Sequence, residues 1–532
     1  MSRDVEKILI SGAGTMGAGI ALQAAHCGFP VMLVEPDSAA QNRARERLQK
    51  DAQRLGDPDC VSRINWYDAV PAQCDADVAI EAVPERIDLK NTVLAQFAAC
   101  VAPDAIIATN TSSLSVSELA QAVTHRERFV GLHFFNPPQL MRLVEIVPGE
   151  ETSDDTIAHC RSLVERLQRT PVISEDTPGF IVNRVARPFY LQALRAFEAG
   201  AAPAEDLDTL ARGVGFRMGP FELMDLIGLD VNLATTQSVY ERTGEARFEP
   251  VLLQQQMVAQ NRLGRKTGSG FYDYSGGAPK HDDTLPEPHA NIDDVERIVV
   301  IGSGGVALEL EEMLARSYQN VELWQDEETL DQIPAESTIV IDIGDGASDR
   351  SHEIAALDSL LAPETVIFAD AYATDLEKLA QKMQHPERLA GYGILASLEN
   401  QNVVEIVDAE HTSDDTLELA QELFESIGRR VVLLEPVAGL FLGRVVGSIV
   451  NEAVTAVAQG VASADDIDLA MRLGTNYPQG PIEWGREIGG DRVARILRRL
   501  AADEGEAFAP HRALYMLDVV EAEPGTEVQA DG

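Results

Sequence analysis

Short apolar runs of strand length alternate with segments of helical periodicity through the first third of the chain. The runs are Ile8-Leu9-Ile10, Val31-Met32-Leu33-Val34, Val78-Ala79-Ile80, Ala105-Ile106-Ile107-Ala108 and Phe129-Val130-Gly131-Leu132. This alternation predicts a doubly wound parallel sheet with helices between the strands. A further strand over residues 142–147 precedes a helix over 154–167, and Thr177-Pro178-Gly179 then punctuates the chain. Beyond it the apolar positions of 180–197 and 207–226 keep helical spacing, which predicts an all-helical second domain.

The first run feeds directly into Gly12-Ala13-Gly14-Thr15-Met16-Gly17 and then a helix. Gly12 permits the tight turn, Gly14 lets backbone approach a pyrophosphate, Gly17 lets helix and strand pack closely, and the helix N-terminus offers free N–H groups. The second strand ends in Glu35, about 20 residues on, where a dinucleotide site needs its ribose-binding acid. A carboxylate there accepts both ribose hydroxyls of NAD and repels a 2′-phosphate, so NAD is favoured over NADP. Arg43, Arg45 and Arg47 follow closely. They read first as a solvated helix face, with rescue of the phosphorylated cofactor as the alternative.

After a Gly-, Pro- and Asp-rich stretch over 275–294 the pattern begins again. Ile298-Val299-Val300-Ile301-Gly302-Ser303-Gly304-Gly305 echoes the first strand and loop, and Val403-Val404-Glu405-Ile406-Val407 echoes Leu143-Val144-Glu145-Ile146-Val147. Thr412-Ser413-Asp414-Asp415-Thr416 repeats Thr152-Ser153-Asp154-Asp155-Thr156, and Ala464-Asp465-Asp466-Ile467-Asp468 repeats Ala204-Glu205-Asp206-Leu207-Asp208. This is an internal duplication. The second copy lacks a stretch present between Glu35 and Asp77, and polar residues vanish from it as a set: Ser112 becomes Tyr372, His133 becomes Gly393, Asn136 becomes Ala396 and Asn183 becomes Gly443. It is expected to be structural, packing its helices on the first copy as a dimer partner does. The Gly302 loop keeps some claim to a nucleotide, but Gln325 is neutral where Glu35 is acidic, with Asp326 and Glu327 nearby.

The fold class is therefore α/β: a Rossmann-type doubly wound sheet plus an all-helical domain, followed by a reduced Rossmann-like domain and a second helical domain. Expected divisions are residues 1–177 and 178–280 for the first copy, a linker over 281–294, 295–435 and 436–518 for the second copy, and an acidic tail over 519–532.

At 532 residues each domain has room for a full core. No hydrophobic run is read as approaching a membrane span and no leader precedes the first strand, so a cytoplasmic protein is expected. The five cysteines are odd in number and lack Cys-x-x-Cys spacing, implying neither a disulfide framework nor a metal site. A net charge of -43 disfavours nucleic acid and anionic membrane as partners, and leaves an anionic substrate to be held by local positive charge.

His133 ends a strand, where open α/β sheets bind their ligands. Glu145, on the next strand among Leu143, Val144, Ile146 and Val147, is costly to bury unpaired. A His–Glu bond across the strands satisfies both groups and fixes the imidazole tautomer. His133 is then a candidate base for a hydroxyl proton in a hydride transfer, with Ser112 and Asn183 as the polar grip. Blander roles stand beside these: a strand-joining pair, Ser113 as a plain helix N-cap, and Asn183 as an interdomain bond.

The glycine loop resembles that of the L-3-hydroxyacyl-CoA dehydrogenase family, as do Glu81-Ala82-Val83-Pro84-Glu85, Asn110-Thr111-Ser112-Ser113-Leu114, the stretch from Gly131 to Pro137, Val144-Glu145, Asp176-Thr177-Pro178-Gly179-Phe180-Ile181-Val182-Asn183-Arg184, Met218-Gly219-Pro220-Phe221-Glu222-Leu223 and Gly264-Arg265-Lys266-Thr267-Gly268. The duplicated layout resembles the two-copy bacterial members acting on 3-hydroxybutyryl-CoA or 3-hydroxyadipyl-CoA. The resemblance implies NAD-linked oxidation of an (S)-3-hydroxyacyl-CoA, with His133 as general base and Glu145 its partner. It further implies that Ser112, Asn136 and Asn183 arrange substrate and nicotinamide, and that Glu85, Lys90, Asn110 and Lys266 line the cofactor site. The family's longer lysine-rich hairpin for CoA is shortened here to 37–57, with Arg43, Arg45, Arg47, Lys50 and Arg54. Alternatives are a same-fold dehydrogenase of a free hydroxy acid or sugar acid, and a catalytically idle nucleotide-binding protein. The acyl-CoA is the expected partner, with an internal pseudo-dimer and room for further self-association.

Overall fold

The computed structural model describes residues 5–279, 281–289, 292, 295–325, 330, 332–344 and 350–519. Among these residues, fifteen strands form two sheets. The first contains β1 (Ile8–Ser11), β2 (Val31–Val34), β3 (Ile64–Tyr67), β4 (Val78–Glu81), β5 (Ile106–Thr109), β6 (Phe129–Phe134), β7 (Leu143–Pro148) and β8 (Thr170–Ile173), in the order β3-β2-β1-β4-β5-β6-β7-β8. Ile8 and Ile10 pack into one helical layer and Leu9 into the other, as a strand covered on both faces requires.

Pairing is parallel except between β6 and β7. The segment joining those two is too short for the crossover of a dozen or more residues that parallel neighbours need, so the chain turns back as an antiparallel pair. That reversal sets His133 directly opposite Glu145.

The second sheet contains β9 (Ile298–Ile301), β10 (Val321–Trp324), β11 (Ile339–Asp342), β12 (Val366–Asp370), β13 (Leu389–Gly393), β14 (Val403–Val407) and β15 (Arg430–Leu434), in the order β10-β9-β11-β12-β13-β14-β15. Among the described residues it matches the first strand for strand except for β3, and the helix Ser38–Arg54 also has no counterpart there. The helical regions of the two copies share one apolar core, in which Phe189, Tyr190 and Phe216 meet Tyr477 and Trp484. Backbone bonds cross between the copies at matching places, Glu175 N–H to the Val461 carbonyl and Glu435 N–H to the Ala201 carbonyl.

Several expectations need correction. β3 and β8 escaped the sequence pattern because both lie at or near a sheet edge, β3 mixing polar residues and β8 carrying Pro171. One helix, Phe441–Ala458, is long and apolar enough to cross a membrane by length and composition. It is mostly buried between the two copies, where apolar side chains are needed on nearly every face. Arg43 and Arg45 are exposed, as the solvated-face reading has it, with Arg45 stacked on Trp66 at 4.3 Å, whereas Arg47 is half-buried and its Nη2 donates to the Ala13 and Gly14 carbonyls at 3.2 and 2.8 Å. The helix Val116–Leu119 is capped by Ser115, not Ser113, because Ser113 Oγ is taken by Glu85. The linker is tied to both copies, Asp283 pairing with Arg212 and His289 N–H bonding the Ser426 carbonyl. Asp326, Glu327 and the tail beyond Val519 lie outside the described residues.

Candidate active site

The glycine loop leaves β1 with Gly12 at φ +100°, a conformation that side chains rarely adopt. A Cβ on Gly17 would sit 1.9 Å from the Gly12 carbonyl oxygen, whereas one on Gly14 would meet open space. The loop is thus tight beneath and open above. Gly14 caps the helix Thr15–His26 without any side-chain bond, leaving the first-turn N–H groups of Thr15 and Met16 for an anion. Glu35 hangs over this cradle, its Oε2 accepting the Ala13 N–H at 3.0 Å and its Oε1 the Asp37 N–H at 3.1 Å. A cradle with an acid beside it fits a dinucleotide's pyrophosphate and ribose.

Across the strand ends from the loop, His133 Nδ1 lies 2.5 Å from Glu145 Oε2. Glu145 is fully buried, and its other oxygen accepts the N–H groups of Ile181 and Val182 at 3.1 and 2.9 Å. This one side chain therefore joins β7, His133 and the start of the helical domain. An ionised carboxylate only accepts, so Nδ1 carries the proton and Nε2 presents its lone pair. Phe135 and Phe180 flank the imidazole at 4.5 and 5.7 Å between ring centres and hold its plane.

The loop after β5 is held from beneath. Glu85 Oε1 accepts from Thr111 Oγ1 at 2.6 Å, Ser112 N–H at 2.9 Å, Ser113 N–H at 3.0 Å and Ser113 Oγ at 2.9 Å. Partial burial alone would push the Glu85 carboxyl up, but the Lys90 ammonium at 3.1 Å and the bonds from Thr111 and Ser112 hold it down at about 2. Ser112 Oγ itself touches Glu85 only at 3.5 Å and remains free to turn outward. Asn183 Nδ2 reaches the Ser112 carbonyl at 3.4 Å, and the guanidinium of Arg242 bonds the Ser113 carbonyl, so the helical domain closes on this loop twice. Asn110 Oδ1 accepts the Phe134 N–H at 2.9 Å, fastening the ends of β5 and β6 together. Asn136 is exposed, followed by a cis peptide bond to Pro137.

Two residues stand otherwise than their expected roles suggest. Lys90 is 1 % exposed and bonds both oxygens of Glu81 at 2.9 Å, so it supports Glu85 from the interior instead of lining an open surface. Lys266 pairs with Asp230 on the helical domain, and no hydrogen bond links it to the other site residues. Arg242 was missed by sequence reasoning, and Glu81 was quoted only as the first residue of a motif. Glu81 ends β4 next to β1 and collects Lys90, Thr109 Oγ1 and the Val83 N–H, a convergence that only the sheet order creates. Asp176 was quoted only as part of a motif, yet it accepts the N–H groups of Val116 and Ser117 at 2.9 and 2.8 Å. Away from the site, His26, Asp57 and Cys60 bring their ligand atoms within 4.8 Å of one another, a grouping with no spacing signature.

Two family models match this chain, each twice. The 3-hydroxyacyl-CoA dehydrogenase NAD binding domain covers residues 7–177 and 346–437, and the 3-hydroxyacyl-CoA dehydrogenase C-terminal domain covers 179–274 and 439–527. The chain is 34 % identical over 521 residues to 3-hydroxyadipyl-CoA dehydrogenase of Escherichia coli (strain K12), covering 95 % of this chain and 96 % of that one. Its first half is 37 % identical over 287 residues to the mitochondrial hydroxyacyl-coenzyme A dehydrogenase of Homo sapiens, with 51 % of this chain and 91 % of that one covered. The crystal structure of 3-hydroxybutyryl-CoA dehydrogenase from Escherichia coli K12 superposes with a TM-score of 0.79 at 32 % identity, over 98 % of this chain and 99 % of that one. This chain belongs to the 3-hydroxyacyl-CoA dehydrogenase family and is an NAD-dependent oxidoreductase that acts on the hydroxyl-bearing carbon of 3-hydroxyacyl-CoA thioesters.

Proposed function

We propose that His133 is the base of a reversible oxidation of a short (S)-3-hydroxyacyl-CoA, and that Glu145 positions it. The 2.5 Å bond between them carries this reading, because it leaves Nε2 as the one ring nitrogen able to accept the substrate's hydroxyl proton. NAD, bound by the Gly12–Gly14–Gly17 loop and Glu35, supplies the hydride acceptor. His133 takes the hydroxyl proton as the C3 hydride departs, so alcohol and NAD become ketone, NADH and one proton. Ser112 Oγ and Asn183 hold the oxygen and polarise it, with Asn136 at the open side. Glu85 and Asn110 keep the Ser112 loop in place, and Lys90 supports Glu85. Short substrates suit the relatives' names, which specify hydroxybutyryl and hydroxyadipyl thioesters.

The second copy serves as the structural partner of the first, and a cytoplasmic setting suits its five free cysteines. The deciding assay is NADH oxidation with acetoacetyl-CoA. Turnover by the native chain and a loss of about 10²–10⁴-fold in His133→Ala are expected. Turnover of free acetoacetate but not of the thioester would instead favour a hydroxy-acid dehydrogenase.

A further inference from the structure

Three arginines of the first helical domain differ in what neutralises them. Arg217 is exposed on the surface. Arg184 is buried but spent, its Nε bonded to Glu452 at 2.6 Å and its Nη2 to Gln459 at 2.6 Å. Arg187 is only 4 % exposed and pairs with no carboxylate among the described residues. Its Nε donates to the Asn183 carbonyl at 2.8 Å and its Nη1 to Thr236 Oγ1 at 3.2 Å and the Asn232 carbonyl at 3.5 Å. Neutral oxygens thus take Nε and Nη1, and no hydrogen bond from Nη2 is formed among the described residues.

Two phenols complete the surroundings. The Arg187 guanidinium lies 4.9 Å over the Tyr190 ring, and Tyr477, from the second copy, packs on the same helix, its ring 5.9 Å from that of Phe189. The Tyr477 hydroxyl is buried without a hydrogen-bond partner among the described residues, in a side chain only 5 % exposed. A guanidinium buried without an anion is costly, since neutral oxygens offset only part of what the charge loses on leaving water, and a buried phenol without a partner recovers nothing.

The internal symmetry shows that the shared fold does not demand this cluster. In the second copy Gly447 stands where Arg187 does and Val450 where Tyr190 does, while Phe216 of the first copy answers to Tyr477. Phe216 and Tyr477 meet edge to face at 5.0 Å, as equivalents on either side of a local twofold axis do. The first copy alone therefore carries the cation, and the counterpart of Tyr477 has no hydroxyl. Asn183 and Arg187 are four residues apart on a near-continuous helical path, hence neighbours on one face with Cβ atoms about 6 Å apart.

We propose that Arg187, with the hydroxyls of Tyr190 and Tyr477, binds a carboxylate at the far end of the acyl chain, selecting a 3-hydroxy dicarboxylyl-CoA over its uncharged counterpart. This rests on the thioester reading above. One helical turn suits a C6 chain, whose second carboxylate lies three carbons beyond the reacting one. The degenerate copy then contributes a specificity residue to the active copy.

The test compares 3-ketoadipyl-CoA with 3-ketohexanoyl-CoA, equal in carbon number and differing at the terminal group, each with NADH. The native chain is expected to favour the dicarboxylyl thioester in kcat/KM at least tenfold. Arg187→Met should lower that preference about 10- to 100-fold and Tyr477→Phe, nearly isosteric, by a smaller factor, both through KM. A native chain indifferent between the two thioesters, or preferring the uncharged one, overturns the inference. So does an unchanged ratio in Tyr477→Phe, which remains decisive if Arg187→Met fails to fold. Failure of the native chain to reduce either thioester would sink the thioester reading itself.

Discussion

The two copies keep the same buried carboxylate and differ in what faces it. Glu145 and Glu405 each use one oxygen to accept two backbone N–H groups at the entrance to a helical domain, from Ile181 and Val182 in the first copy and from Phe441 and Leu442 in the second. The other oxygen meets the His133 imidazole at 2.5 Å in one and the Tyr372 hydroxyl at 2.6 Å in the other. A carboxylate that persists where no histidine exists has a structural duty of its own: it clamps the sheet to the helices. In the first copy that clamp also steadies the base.

The lost polar residues of the second copy form one packing event. A Cβ on Gly393 would lie 2.8 Å from Tyr372 Cζ, and one on Gly443 would lie 2.5 Å from Tyr372 Cδ1. The tyrosine thus fills the volume that His133 and Asn183 occupy in the first copy, and a cleft has become core. The cofactor loop has diverged as well. Ala307 is buried where the first copy has Gly17, a position at which a Cβ would collide with the loop carbonyl. The second loop must therefore follow a wider path.

This contrast can be broken most forcefully at the base. His133→Ala should cost about 10²–10⁴ in kcat, while Tyr372→Phe should leave kcat within about twofold; a comparable loss in both would give the second copy a part in turnover. Next come the buried ion pairs. Lys90→Met strands Glu81 and should destabilise by about 3–5 kcal/mol, and Arg388→Met should do likewise to Asp358, its partner at 2.8 Å, both read from urea unfolding. A small effect in the second copy alone would show that its sheet is the looser of the two.

Smaller effects sharpen the reading of the clamps. Glu405→Ala should destabilise by about 1–3 kcal/mol by orphaning buried donors without altering kcat per folded molecule, whereas Glu145→Ala should lose both stability and turnover. The mildest effect is on pH dependence. Burial pushes the Glu405 carboxyl up to about 7 despite bonds from Tyr372 and the backbone, against an ordinary value of 4.5. A raised carboxyl favours the protonated folded state, so this contribution to stability is full below about 4.5 and lost as pH rises through about 7. Asp208, pushed up to about 7 by burial, and Asp468, to about 6, act in the same sense. Glu405→Gln should flatten the decline of the urea midpoint between pH 4.5 and 7; an unchanged slope would remove Glu405 from the account.

Much of the architecture was legible because it is encoded locally. The glycine loop, the strand that feeds it and Glu35 lie within one short βαβ segment, and the duplication is visible as repeated words such as Thr152-Ser153-Asp154-Asp155-Thr156. His133 and Glu145 sit on consecutive strands, so their meeting needed only the pairing of neighbours. The convergence on Glu81 was not legible, because it depends on β4 lying beside β1 and β5 in the sheet. Arg45 and Arg47 looked alike on a helix face until the strand with Trp66 and the loop carbonyls gave them different partners.

The chain by itself determined the fold class, the repeat, the nucleotide loop and the identity of a histidine and acid on adjoining strands, since each follows from periodicity and spacing over short stretches. Tertiary structure alone decided that Tyr372 fills the second copy's vacated site, that Arg184 is neutralised while Arg187 meets no carboxylate among the described residues, and that Tyr477 crosses from one copy to pack on Phe189 of the other. Those outcomes depend on which charges and volumes meet after residues hundreds of positions apart are packed together, and no local pattern carries that information.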